Sequence, residues 1–178
     1  MCSASIQANG RGHIGHALEN LRESGFYWGG ISSQQAKELL NDSAVGSFLV
    51  RDSSDQRFLF TLSLKTFSGV TSVRIVMEKL MFRVDAVVQT PRFDCVLRLI
   101  QYYMEISRTY KDKLNNQGNA SKNGGGLLLL YFPLYKRILP LRHLCRRTLN
   151  QVIGSENLHK LPVGRNLQIF LRKYPYTC

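Results

Sequence analysis

Phe48-Leu49-Val50-Arg51-Asp52-Ser53-Ser54 is the stretch on which the fold turns. Gly46 to Val50 reads as a β-strand of small, β-branched and aromatic residues, and it ends in a guanidinium followed by a hydroxyl-rich turn. Stripping water from an arginine costs several kcal/mol or so unless a partner compensates. The partner is therefore local or arrives from outside. Residues 52–56 offer two hydroxyls and a row of backbone N–H groups, a chemistry suited to holding an anion. A structural ion pair with Asp52 or Asp94 is the other reading, and this segment alone leaves the two level.

Downstream, residues 57–65 and 71–77 read as two further strands, with Phe67-Ser68-Gly69 turning between them. Phe58, Phe60, Leu62 and Leu64 fall on one face of the second strand, leaving Leu59, Thr61 and Ser63 on the other. In the third, Val73 and Ile75 oppose Ser72, Arg74 and Val76. Period-two geometry lets Arg51, Thr61 and Arg74 line a single face of an antiparallel sheet, and the two later strands bring no carboxylate to it. Two guanidiniums without an acid repel each other, which favours an external anion. Phosphate fits: planar arginine forks grip its oxygens bidentately, each charge-assisted bond contributing about 1.5–3 kcal/mol.

Further out, residues 1–12 are polar and Gly-rich and are expected to be disordered. Ile14, Ala17, Leu18 and Leu21 predict a short amphipathic helix over 13–24, ahead of the aromatic cluster Phe26-Tyr27-Trp28. Ser32 or Ser33 caps a second helix through Ala36, Leu39 and Leu40. After an extended region, 79–92, Phe93, Val96, Leu97, Ile100 and Tyr103 mark a third helix. Residues 105–126 read as a long polar loop and Leu127–Phe132 as a closing strand. The expected fold class is α+β, an antiparallel sheet with one helix on each face.

With 178 residues, 44% hydrophobic and 20% charged, the chain is globular in composition. No run approaches the eighteen or so apolar residues of a membrane span. Met1-Cys2-Ser3-Ala4-Ser5 carries neither a signal-peptide core nor a myristoylation glycine. Cys2, Cys95, Cys145 and Cys178 are far apart, supporting neither a metal site nor a disulfide framework, and a reducing cytoplasmic location is expected. The net charge is +12; residues 137–178 hold eight Lys/Arg against one acid, and residues 1–136 sixteen against eleven. These charges are interleaved with apolar positions rather than clustered, so an acidic protein partner is preferred to nucleic acid.

Taken in order, Phe26-Tyr27-Trp28, the Phe48–Ser54 strand end and the αβββα sequence resemble a Src homology 2 (SH2) domain across residues 25–135. The resemblance implies that Arg51 is the phosphotyrosine-binding arginine, that Ser53, Ser54 and Thr61 bind phosphate oxygens, and that Arg74 flanks the phosphotyrosine. Ser33 stands where many such domains place a second arginine. Val73 is assigned to peptide specificity, with an aliphatic preference just after the phosphotyrosine.

Pro140-Leu141-Arg142-His143-Leu144-Cys145-Arg146-Arg147-Thr148-Leu149 resembles the Elongin C-binding sequence of a SOCS box, a small all-helical unit over 138–178. Leu141, Leu144, Cys145 and Leu149 carry that resemblance, on a helical stripe continued by Val152. Leu161-Pro162 resembles the start of the cullin-contact motif, with Gly164 where its second proline stands. Residues 14–178 as a whole are similar to the suppressors of cytokine signalling, and Arg51–Arg57 and Pro91–Leu97 look most like the third member of that family. That member's kinase inhibitory region has no counterpart in residues 1–12, nor its Pro-rich insertion in 105–126. The resemblance implies a non-catalytic, cofactor-free adaptor. It would join tyrosine-phosphorylated cytokine receptors or Janus kinases to Elongins B and C and a cullin–RING ubiquitin ligase. An SH2 competitor that blocks receptor phosphotyrosines without ubiquitin transfer is the alternative. His143 is expected to be an exposed helix residue, and Cys95 and Cys145 to be packing residues.

Overall fold

The computed structural model describes residues 3–85, 90–117, 128–154, 156–174 and 176. The chain divides into two units, residues 1–136 and 137–178.

In the first unit the order is α1 (Ser3–Ser24), α2 (Ser33–Asn41), β1 (Ser47–Asp52), β2 (Phe60–Thr66), β3 (Gly69–Glu78), β4 (Met81–Val84), α3 (Val96–Gln117) and β5 (Phe132–Pro133). The sheet runs β4-β3-β2-β1-β5. All pairs are antiparallel except β1 with β5. One face carries Phe48, Val50, Phe60, Leu62 and Ile75, all buried, together with Phe82 and Val84 of β4. His13 of α1 stacks on Phe82 there, and α3 packs against both α1 and β4. Each such fully buried apolar side chain contributes about 1.5–3 kcal/mol. The opposite face lies under α2, whose Ala36 and Leu40, one turn apart, pack on Leu49. Ser32 starts α2: its hydroxyl accepts from Gln35 N at 3.1 Å while Gln35 Oε1 accepts from Ser32 N at 2.9 Å.

Several expectations are corrected. The helix expected over 13–24 begins at Ser3, inside the segment expected to be disordered, because extending a helix already anchored by Ala17 and Leu21 needs no new nucleus. Likewise α3 continues to Gln117 through half of the expected loop, since no glycine or proline interrupts it. Within it, Ser107 Oγ donates to Tyr103 O and accepts from Leu130 N at 2.7 Å. The remainder of that loop, 118–126, lies outside the described residues. β4 occupies part of the extended region, closed by a two-residue turn with Lys79 and Leu80 at φ 52 and 64.

The closing strand shrinks to Phe132–Pro133 and runs parallel to β1. The rest of that edge of β1 is already taken: Val50 N donates to Phe26 O, Trp28 N to Val50 O, and Asp52 N to Gly29 O. Phe58, expected in the second strand on the face of Phe60 and Leu62, falls before β2, where its ring meets the guanidiniums of Arg57 and Arg74.

The second unit comprises α4 (Leu141–Ile153), a 3-10 turn (Leu158–Lys160) and α5 (Arg165–Lys173). Pro140 precedes the first turn of α4, and Gly154 ends it at φ 77, a conformation open to glycine.

Candidate functional site

Three strands carry the site. Arg51 on β1 lies opposite Thr61 on β2, and Thr61 lies opposite Arg74 on β3. Direct cross-strand partners share a face, so the three residues form one row across the sheet.

Arg51 is 3% exposed and enters no ion pair among the described residues. Neutral oxygens hold it: Nε donates to Ser63 Oγ at 3.1 Å and Nη1 to Asp52 O at 3.1 Å. Ser63 Oγ in turn shares a hydrogen bond with Ser72 Oγ at 2.9 Å, from the directly opposite position on β3. Neither carboxylate weighed as an internal partner pairs with Arg51. Asp52 Oδ1 accepts from the Tyr27 hydroxyl, and Asp94 pairs with Arg98 at 3.3 Å. Burial, and then the neighbouring Arg74 cation, push the Arg51 guanidinium below its ordinary pKa. The site thus holds a desolvated positive charge beside a second one.

Arg74 is half-exposed, and the carboxylate that reaches it comes from the β1–β2 turn: Arg74 Nε lies 3.6 Å from Asp55 Oδ2, while Glu78 at the end of β3 pairs with Arg83 and Arg92. Arg57 grips the same carboxylate more closely, with Nε 3.0 Å from Oδ1 and Nη2 2.8 Å from Oδ2. The Arg57 side chain and backbone N–H, with Arg74 adding to them, hold the Asp55 carboxyl down at about 2. Ser53 Oγ accepts from Asp55 N at 3.1 Å and its own N–H donates to Leu59 O, which closes the turn. Ser54 is exposed on that turn and Thr61 is buried in the sheet. Val73 does not join the row: its partner Leu62 puts it on the opposite face. Ser33 is exposed at the start of α2.

Ser63, Ser72 and Asp55 carry no assignment in the sequence reading. The signal for Ser63 was its spacing of two from Thr61, which puts it on the arginine face. Asp55 left no such signal, because turn residues have no period.

In the second unit, α4 turns its apolar stripe outward. Leu141 is 75% exposed, Val152 78%, and Leu144, Cys145 and Leu149 are exposed as well. His143, Arg146 and Asn150 are buried instead, which corrects the expectations that His143 is exposed and Cys145 packed. Arg146 explains the inversion. Its guanidinium lies 4.6 Å from the Phe170 ring centre and 4.8 Å from that of Tyr174, while Nη2 donates to His143 Nδ1 at 2.9 Å. Asn150 Nδ2 donates to Leu171 O at 3.2 Å and Tyr174 O at 2.6 Å, tying α4 to α5. Cys95 is buried as expected. Leu161 is partly buried and Pro162 exposed just before α5, which Gly164 begins at φ −58.

The family model for the SH2 domain matches residues 26–103. Suppressor of cytokine signaling 2 of Sus scrofa is 37% identical over 167 residues, covering 92% of this chain and 81% of that protein. Suppressor of cytokine signaling 3 of Gallus gallus is 37% identical over 172 residues, covering 89% of this chain and 81% of its own. Equal identities to the two do not single out the third member. The solved SH2 domain of the Monosiga brevicollis CRK/CRKL homolog aligns at 25% identity and a TM-score of 0.45, covering 63% of this chain and 88% of that one.

Proposed function

The chain belongs to the suppressor of cytokine signalling family, and on that premise we propose that it is a phosphotyrosine-reading adaptor that restrains cytokine receptor and Janus kinase–STAT signalling. The observation that carries the reading is Arg51, a buried cation steadied by neutral oxygens and without an ion-pair partner among the described residues. Its Nη2 enters no hydrogen bond among those residues. A phosphate dianion seated over the Arg51–Thr61–Arg74 row would neutralise both guanidiniums and accept from Nη2. The Ser53 and Ser54 hydroxyls and the turn's N–H groups would complete its coordination, each charged hydrogen bond contributing about 1.5–3 kcal/mol. Val73, on the far face, stays outside this reading.

The second unit is read as the effector half. An apolar stripe of Leu141, Leu144, Cys145 and Leu149 exposed on a helix whose polar stripe is buried asks for a partner, and Elongin C is the one proposed. Leu161 and Pro162 would meet the cullin. Gly164 lacks the proline ring of that motif, yet its φ of −58 is the angle a proline imposes, which favours recruitment. The chain itself would perform no catalysis; it would bring a phosphorylated protein to a ubiquitin ligase.

Fluorescence-polarisation titration of one peptide with and without its tyrosine phosphate tests the first half, and equal binding of both forms would overturn it. Copurification tests the second. Elongins B and C retained without a cullin would leave the competitor reading, which the missing proline ring at Gly164 keeps open.

A further inference from the structure

Asp55 is the carboxylate that reaches the phosphate-binding row, and its two arginine contacts are unequal. Arg57 holds it with side-chain bonds of 3.0 and 2.8 Å and a backbone N–H at 3.1 Å, whereas Arg74 stands 3.6 Å away. The ring of Phe58 supports both cations, with the Arg57 guanidinium 5.6 Å and that of Arg74 5.4 Å from its centre. Arg57 is 80% exposed, and Asp85, the nearby second carboxylate, pairs with Arg83 at 3.6 Å. The cluster therefore has one anion poised between a phosphate-facing cation and a peripheral one.

Resting on the phosphotyrosine reading above, we propose that Asp55 is an internal competitor for phosphate at Arg74, and that Arg57 is the counter-clamp that draws it aside when phosphate arrives. Phosphate and Asp55 are both anions and both address Arg74, so each weakens the other's hold. Asp55 does not escape by taking up a proton, because Arg57 keeps it ionised down to about pH 2. It yields by transferring fully to Arg57, whose bidentate grip does not depend on Arg74. Asp55 thus sets a ceiling on affinity, and Arg57 acts on the ligand only through Asp55.

The test uses the full chain and free phosphotyrosine as probe, with binding followed by NMR on the Arg51 and Arg74 Nε–H signals. Asp55→Asn keeps an acceptor for the Arg57 N–H while removing the charge, and should bind about three- to tenfold more tightly. Arg57→Ala should bind more weakly than wild type, yet have no effect in the Asp55→Asn background. Equal losses from Arg57→Ala in both backgrounds would mean that Arg57 touches phosphate directly, and would overturn the proposal. So would unchanged or weaker binding by Asp55→Asn and by Asp55→Ser, with both variants fully folded at the temperature of the titration. A wild-type chain that does not bind phosphotyrosine overturns the underlying reading instead, and this proposal with it.

Discussion

Ser63 accepts a hydrogen bond from Arg51 Nε at 3.1 Å while bonded to Ser72 at 2.9 Å, so a serine pair on two neighbouring strands orients the buried guanidinium of a third. Ser63→Ala leaves the Nε–H buried without its acceptor, a loss of about 1–3 kcal/mol. Urea denaturation should show that loss, and phosphopeptide affinity should fall while Ser72→Ala has a smaller effect. Arg51→Lys should cost about 100-fold or more in phosphopeptide affinity at near-wild-type stability, because an ammonium cannot reproduce the fork.

Gly46 has φ 86, and a Cβ at that position would collide with the ring of Tyr131, which leads into β5. Its N–H donates to Lys65 O and its C=O accepts from Tyr131 N, so the backbone cannot shift without breaking both. Gly46→Ala should therefore destabilise the first unit by about 1–3 kcal/mol or more, seen as a lower denaturation midpoint.

On α4, neighbouring positions should give opposite outcomes. Leu144→Asp, on the exposed stripe, should leave thermal stability within about 0.5 kcal/mol of wild type and abolish Elongin retention. Arg146→Ala should unfold the second unit, since it strips the cation from two aromatic rings and the hydrogen bond from His143. Circular dichroism melts of the two variants separate the effects.

Gly164→Pro should be tolerated: φ is −58 and a Cβ there meets nothing within 4 Å. Its expected effect is a gain of about 0.4–1 kcal/mol through the unfolded chain, together with greater cullin retention on copurification. A loss of stability would place a needed N–H at that position.

Acid dependence follows from Asp55. Its folded pKa, about 2, lies below the ordinary 3.8, so its ion pair favours the fold above pH 3.8 and that contribution fades as pH falls towards 2. The stability difference between wild type and Asp55→Asn should be constant at neutral pH and should close across this window in an acid titration.

The arginine–threonine–arginine row was legible because a strand's period of two assigns faces without knowledge of the fold, and Arg51, Thr61 and Arg74 follow it. The helical stripe of α4 was legible by the same kind of rule, but its direction was not. Leu141, Leu144, Cys145 and Leu149 read equally well as a core face, and the burial of Arg146 by Phe170 and Tyr174, 24 and 28 residues later, reverses the choice. Element ends were misjudged where neighbours decide them: β5 is short because Phe26–Gly29 already occupies the other end of that edge of β1.

The sequence by itself determined which residue types share a face and in what order the motifs come, since periodicity, turn residues and motif order are properties of the chain. Tertiary structure alone decided who compensates each buried charge. Arg51 rests on Ser63 and the Asp52 carbonyl rather than on a carboxylate, Asp52 goes to Tyr27, and Asp55 reaches Arg74 from a turn. Such pairings depend on distances of a few ångströms between segments that local patterns do not relate, so they exist only once the sheet has closed.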